Sequence, residues 1–438
     1  MLLLEPPGRF DPLRGSLSRS EPQAIYSTDP REVWNQLFFL LFTRAIPSRV
    51  MAPGSPFMAA GDDRLTLTDE RIVRIESGDR AIDPLYPSWL WMGSTVFDFE
   101  RGNTFRALRE PQYSQLAAAL ENVRLTARSR PPVARALMQA DLWSAYDMLH
   151  STVARRRGPS VGETAEREQR VRRLLPLIAR TMRALSLSDK EIATLPDTYS
   201  AAAKKLGLPD LLGNQRDWME IRWGRQRNHD AAAGHRRAAR VFIRPSKFPK
   251  DEGAFLNQFR TGHGDNLGAL DSVALLIQLL LVRSDGAVVP SPIAYEVQFR
   301  GNAARVTGAE IPQYELSRRL LLSSPTTGGL VGLEATAPAY LPMAGNDLSF
   351  ATPARLDGDP VLAPLSTRCV MCHGAGPGVG TLMTFAAVMA HERPMPPVER
   401  LVSVQNVHAG AVAKRKMAQE DFKALRQHWR YFTAGPVM

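Results

Sequence analysis

Cysteine is almost missing from this chain: 438 residues contain two. With so few thiols, a structural zinc site would lack two of its four ligands unless histidines supplied them, and His391 and His408 lack the three-to-five-residue spacing of a second ligand pair. Long apolar runs are missing as well. Crossing a bilayer takes roughly 18 to 20 apolar residues, and the candidates Trp34–Phe42 (WNQLFFLLF) and Ser272–Val282 (SVALLIQLLLV) are much shorter. Asn35 and Gln36 interrupt the first and Asp271 and Arg283 bound the second, so both read as buried helices. The first residues, MLLLEPPGRFDPLRG, lack the basic start, apolar stretch and small-residue cleavage site of a secretory signal. There is no internal repeat, no phosphate-binding glycine loop and no Gly-x-Ser-x-Gly elbow.

What is present describes a globular protein. The length favours more than one folded unit. With 44% hydrophobic and 23% charged residues and a mean hydropathy of -0.21, the chain can bury a sizeable core. The 31 glycines and 33 prolines show no period and predict long ordered loops. Fifty-five Lys and Arg against 44 Asp and Glu give +11 and a pI near 9.9, which favours acidic partner surfaces. The basic runs Arg155–Arg157 and Arg236–Arg237 are short, carry no interleaved aromatics and accompany no nucleic-acid-binding motif, so they read as solvated faces.

Apolar periodicity predicts helices over 31–44, 113–130, 132–157, 163–187, 188–194, 198–206 and 266–283. Ser188 three residues before Glu191 has the capping-box pattern, and Pro131-Pro132 separates two of the helices. Short extended runs at 240–244, 295–299 and 71–75 supply a few strands. Residues 51–112 and 320–366 read as ordered loop, the second a connector, with a domain boundary near 350. His229, His235 and His263, with Asp230, Asp265 and Asp271, show no recognised ligand spacing and read as structural or surface residues, as does His150.

The two cysteines are three apart and a histidine follows: Cys369-Val370-Met371-Cys372-His373. Chance placement of two cysteines and eight histidines gives this run about once in ten thousand such chains. The spacing suits haem attachment, in which two thiols add across two vinyl groups while the adjacent imidazole reaches the iron. A thioredoxin-like dithiol should open a helix after a strand, whereas here Pro360 and Pro364 precede the run and Gly374-Ala375-Gly376-Pro377-Gly378 follows. A plain disulfide leaves His373 unexplained.

On these residues, with the Pro394-Met395-Pro396-Pro397 loop and an amphipathic stretch from Met417 to Phe432 in which Phe422, Leu425, Trp429 and Phe432 share a face, residues 357–438 resemble a c-type cytochrome domain. The first 350 or so residues carry no such resemblance. The fold expected is therefore mainly α: a large, mostly helical region over 1–350 with a few short strands, then a small all-α cytochrome c-like domain over 351–438. The resemblance implies one covalent haem c with its iron, attached through Cys369 and Cys372. His373 is then the proximal ligand and Met395, a thioether on a proline-stiffened loop, the sixth ligand. Met417, His391, His408, Met389 and Met383 compete with Met395, as does an open sixth position. Two departures stand out: the short span from His373 to Met395, and three prolines, Pro353, Pro360 and Pro364, where such domains begin with a helix.

The resemblance further implies an electron-transfer role with redox partner proteins, acidic ones given the charge. It also implies a periplasmic or otherwise exported bacterial location, since haem c is attached outside the cytoplasm. A start upstream of Met1 or a missing leader would reconcile that location with the signal-free beginning. The alternative is an oxidoreductase whose first region binds a substrate and whose haem is the electron outlet or itself binds a ligand.

Overall fold

A computed structural model describes residues 26–29, 31–46, 64–67, 73–76, 88–91, 112–154, 163–213, 217–223, 237–258, 270–301, 312–332, 338–341, 361–364, 398–400, 413–414 and 416–431. Its helices are α1 Val33–Phe42, α2 Gln112–Thr126, α3 Pro132–Ala154, α4 Glu163–Ala184, α5 Asp189–Ala193, α6 Thr198–Leu206, α7 Glu252–Gln258, α8 Arg318–Ser323 and α9 Glu420–Tyr431. Its strands are β1 Thr43–Ile46, β2 Arg64–Leu67, β3 Val73–Glu76, β4 Ser88–Trp91, β5 Met219–Trp223, β6 Arg237–Pro245, β7 Leu270–Val282, β8 Val288–Gly301, β9 Gln313–Leu316, β10 Leu330–Gly332, β11 Pro338–Leu341, β12 Val361–Pro364 and β13 Val398–Arg400.

The mainly α expectation is overturned by the sheet. Seven strands join in the order β10-β9-β8-β7-β6-β5-β13, every neighbour antiparallel. The run expected as a helix over 266–283 is the 13-residue strand β7, and the 14-residue strand β8 follows it across the hairpin turn. The reason lies in two-sided burial. Paired residues of an antiparallel sheet share a face, so Phe242, Ala274 and Phe299 lie on one side with Leu276, Val297 and Tyr314. That side joins the helical core. The other side carries Met219, Ile221, Val241, Ile243, Val273 and Ile277, all buried too. With both faces apolar the period of two disappears, and a leucine-rich run without alternation looks helical. At the hairpin, Gly286 takes φ +79, a turn conformation that costs glycine nothing.

The other helices expected between 31 and 206 form close to their expected bounds, whereas α7 and α8 were not expected, and α8, β10, β11 and β12 fall in or at the edge of the stretch 320–366 expected as loop. Helix α6 matches 198–206, and its C-terminal residue is followed by Gly207 in the left-handed conformation. Helix α5 has the full capping box: the Glu191 backbone N–H donates to Ser188 Oγ at 3.3 Å and the Ser188 N–H donates to Glu191 Oε2 at 2.8 Å. Residues 34–42 are helical and Trp34, Leu37, Phe38 and Leu41 are buried, as their apolar run predicted. Helix α1 packs on α2, α2 on α4 and α4 on α3, and α3 lies against β7. Among the described residues no helix is long and apolar enough to cross a membrane.

Polar side chains stitch these layers together. Gln139 of α3 donates to the Val282 carbonyl at 2.8 Å and accepts the Val282 N–H at 2.8 Å, satisfying the end of β7. Thr198 of α6 does the same for Ala294 of β8, accepting its N–H at 2.7 Å and donating to its carbonyl at 3.2 Å. In the helical core, Asp141 of α3 receives Arg318 Nη2 at 2.5 Å and Nε at 3.2 Å, and the Tyr26 hydroxyl donates to it at 2.5 Å. Burial and the carboxylate of Asp141 raise the Tyr26 phenol well above its ordinary pKa, keeping it a neutral donor. The Arg318 guanidinium lies over the Phe38 and Tyr295 rings.

Candidate functional site

The haem-attachment run and its expected sixth ligand, Cys369, Cys372, His373 and Met395, lie outside the described residues, as do His391, His408, Met383 and Met389. The expected domain boundary at 350 lies outside them too. What is described is the chain on either side. Strand β12 ends at Pro364, five positions before Cys369, and pairs with β11 in the register Pro338↔Pro364 to Leu341↔Val361. Strand β13 begins at Val398, three positions after Met395, and pairs with β5 in the register Val398↔Trp223, Glu399↔Arg222 and Arg400↔Ile221. Paired backbone therefore brackets the segment on both sides, and its downstream end joins the edge of the seven-stranded sheet.

Strand β5 is itself held firmly. Glu220 receives two hydrogen bonds from Arg240 of β6, Nε to Oε1 at 2.9 Å and Nη2 to Oε2 at 2.8 Å, and Arg240 Nη1 reaches Gln278 Oε1 of β7 at 3.4 Å. Arg240, Glu220 and Gln278 are all buried, and the bidentate geometry satisfies both carboxylate oxygens. This fork fixes β5 against the sheet centre, and with it the strand on which β13 pairs.

The amphipathic stretch expected beside the haem is helical over Glu420–Tyr431, with a turn of helix before it. Phe422, Leu425 and Trp429 are buried as one face, and that face closes the core formed by α3, α4 and the sheet. The Phe422 and Trp143 rings are 5.6 Å apart. Trp429 Nε1 donates to the Ser284 carbonyl in the β7–β8 turn at 3.1 Å, and Arg183 of α4 donates to the Trp429 carbonyl at 3.4 Å. Of the competing sixth ligands only Met417 is described, and it packs partly buried against this same core.

Around the seat of α9 lies a group of ionisable side chains. Lys416 is buried, with Nζ 2.9 Å from Asp421 Oδ2 and 3.7 Å from Asp147 Oδ2, and lies over the Trp143 ring. The Tyr146 hydroxyl is 2.9 Å from Nδ1 of His428, whose ring meets Tyr146 edge-on, while His150 stacks parallel to Tyr146 at 6.0 Å. Burial pushes the Tyr146 phenol up and both imidazoles down. His150 was expected to be structural and does pack within the fold. The rest of the group had no signature in the sequence beyond the amphipathic pattern of its helices, because Tyr146 and His428 stand 282 residues apart.

His229, His235, His263, Asp230 and Asp265 lie outside the described residues. Asp271 is on β7, with Oδ2 3.7 Å from Arg244 Nε on β6. Among the described residues no three His, Cys, Asp or Glu side chains gather as a metal-ligand set. Comparison with protein-family models, with curated proteins and with solved structures gave no match.

Proposed function

We propose that this chain is a c-type haem protein that transfers single electrons, carrying one haem on Cys369 and Cys372. The observation that supports the reading is the run Cys369–His373 itself, which contains both of the chain's cysteines followed directly by a histidine. The donor set fits the group: two thiols would take up two vinyl groups, and the His373 imidazole and the Met395 thioether would hold its iron. When bound, the group supplies a one-electron couple. Cys369 and Cys372 would tether it, His373 would orient it through its imidazole nitrogen, and the soft thioether of Met395 would favour the reduced iron and raise the potential. The bracketing strands β12 and β13 would give the haem-bearing segment two fixed ends.

Net charge of +11 suits acidic redox partners, whose approach it would accelerate at low salt. Attachment of haem c calls for a periplasmic or otherwise exported location. The test is expression with a c-type maturation system, followed by denaturation and acid extraction of the purified protein. Haem retained on the polypeptide, and lost in Cys369→Ala and Cys372→Ala, is the expected result. A colourless protein carrying zinc would overturn the reading.

A further inference from the structure

The seat of α9 contains two titratable rings for which haem attachment has no use. His150 of α3 and His428 of α9 are both half-buried against Tyr146. The neighbouring charges come from each packed element: Asp147 from α3, Arg172 from α4, Lys416 from the turn before α9, and Asp421 from α9. Two acids face two bases, and Lys416 already takes both carboxylates. Of the two carboxylates only Asp421 still favours a proton, and only on His150.

Protonation would harm this seat in two ways. With Nδ1 of His428 unprotonated, the Tyr146 hydroxyl donates to it; a proton on Nδ1 reverses the bond and leaves the half-enclosed hydroxyl proton without that acceptor. A charge on both rings also sets like charges on the two helices that must stay packed. We propose that His150 and His428 form a proton-operated latch, which holds α9 on α3 near neutral pH and loosens it as the surroundings acidify.

The direction follows from linkage. Burial first, and then for His428 the neighbouring His150, lowers both rings from the ordinary 6.5, with Lys416 and Arg172 adding to the effect on His150 and Asp421 opposing it. The detached helix therefore binds protons before the docked one does. Docking is complete above pH 6.5 and weakens as pH falls below it, and the loss levels off beneath the lowered values. In an exported protein such a latch would report the acidity of its compartment, although it does not depend on the haem.

Hydrogen exchange of the full chain as purified tests this, read at pH 7.5 and 5.5 and corrected for intrinsic exchange. Protection of 420–431 should fall on acidification, by up to about tenfold for each ring whose folded value lies well below 6.5. Protection of 132–145 should hold. The His150→Gln/His428→Gln double variant should keep 420–431 protected at both pH values. Unchanged protection in the parent, or the same loss in the double variant, would overturn the latch. If the double variant does not fold, ring-proton titration of the parent decides: apparent pKa values below 6.5 for both rings support it, and values at or above 6.5 exclude it. Haem absorbance recorded in the same samples separates loss of iron ligation from loss of helix docking.

Discussion

Arg318 and Asp141, 177 residues apart in sequence, form an ion pair whose side chains are 1% and 0% exposed. It joins the short α8 to the long α3, and the Tyr26 hydroxyl brings residues 26–29 to the same carboxylate. A charge so enclosed is costly only when its partner goes. Arg318→Met or Asp141→Asn should therefore lose about 3–5 kcal/mol of stability, measured by urea unfolding, while Asp141→Leu and Arg318→Met combined with Tyr26→Phe, which removes the hydroxyl that donates to Asp141, should recover much of the loss.

Met395→Ala tests the proposed sixth ligand. A thioether-ligated haem c has a weak near-infrared charge-transfer band and a comparatively high reduction potential. The substitution should abolish the band and lower the potential. Should the spectrum instead show two imidazoles, and His391→Ala or His408→Ala remove one, the sixth ligand is that histidine.

Trp429 seals the sheet turn against the helices, 3% exposed and hydrogen-bonded to Ser284. Trp429→Ala should cost about 3–5 kcal/mol through cavity formation. Gly286 lies against the same ring, and hydrogen exchange should localise the change to α9 and residues 283–287.

At the capping box, the Ser188 backbone N–H, followed by the Ser188 hydroxyl and the Arg135 guanidinium, holds the Glu191 carboxyl below its ordinary value. The resulting stability is complete above the unfolded carboxyl's 4.5 and is lost as pH falls through the lowered folded value. Glu191→Gln should flatten that part of the stability–pH curve. Ser188→Ala should cost about 1 kcal/mol at neutral pH, read as a shift of the thermal midpoint.

Legibility in the sequence followed the range of the interactions. Helix α6 and the capping box of α5 depend on residues three or four apart, so local pattern located both. Strand β7 depends on β6 and β8: Leu276 faces Arg240 on one side and Val297 on the other, and no local signal distinguishes that burial from a helix interior. Gln278, buried within the run and in contact with Arg240, fits a strand in a network as readily as a helix. The run Cys369–His373 stands out in the sequence because its three residues lie within five positions, and the attachment chemistry proposed for it needs adjacent residues. Tyr146 and His428 meet only through folding, and neither helix alone points to the other.

Helix α9 comes after Cys369–His373 in the chain, yet Phe422, Leu425 and Trp429 complete a core begun by α3 and α4. Contacts over so long a separation form late, after the intervening chain is available. During synthesis, residues 369–373 therefore emerge before the helical layers can close. On the proposed reading, an enzyme joining haem to Cys369 and Cys372 would meet a chain whose packing is unfinished, and completion of the core would come after those residues are already accessible to it.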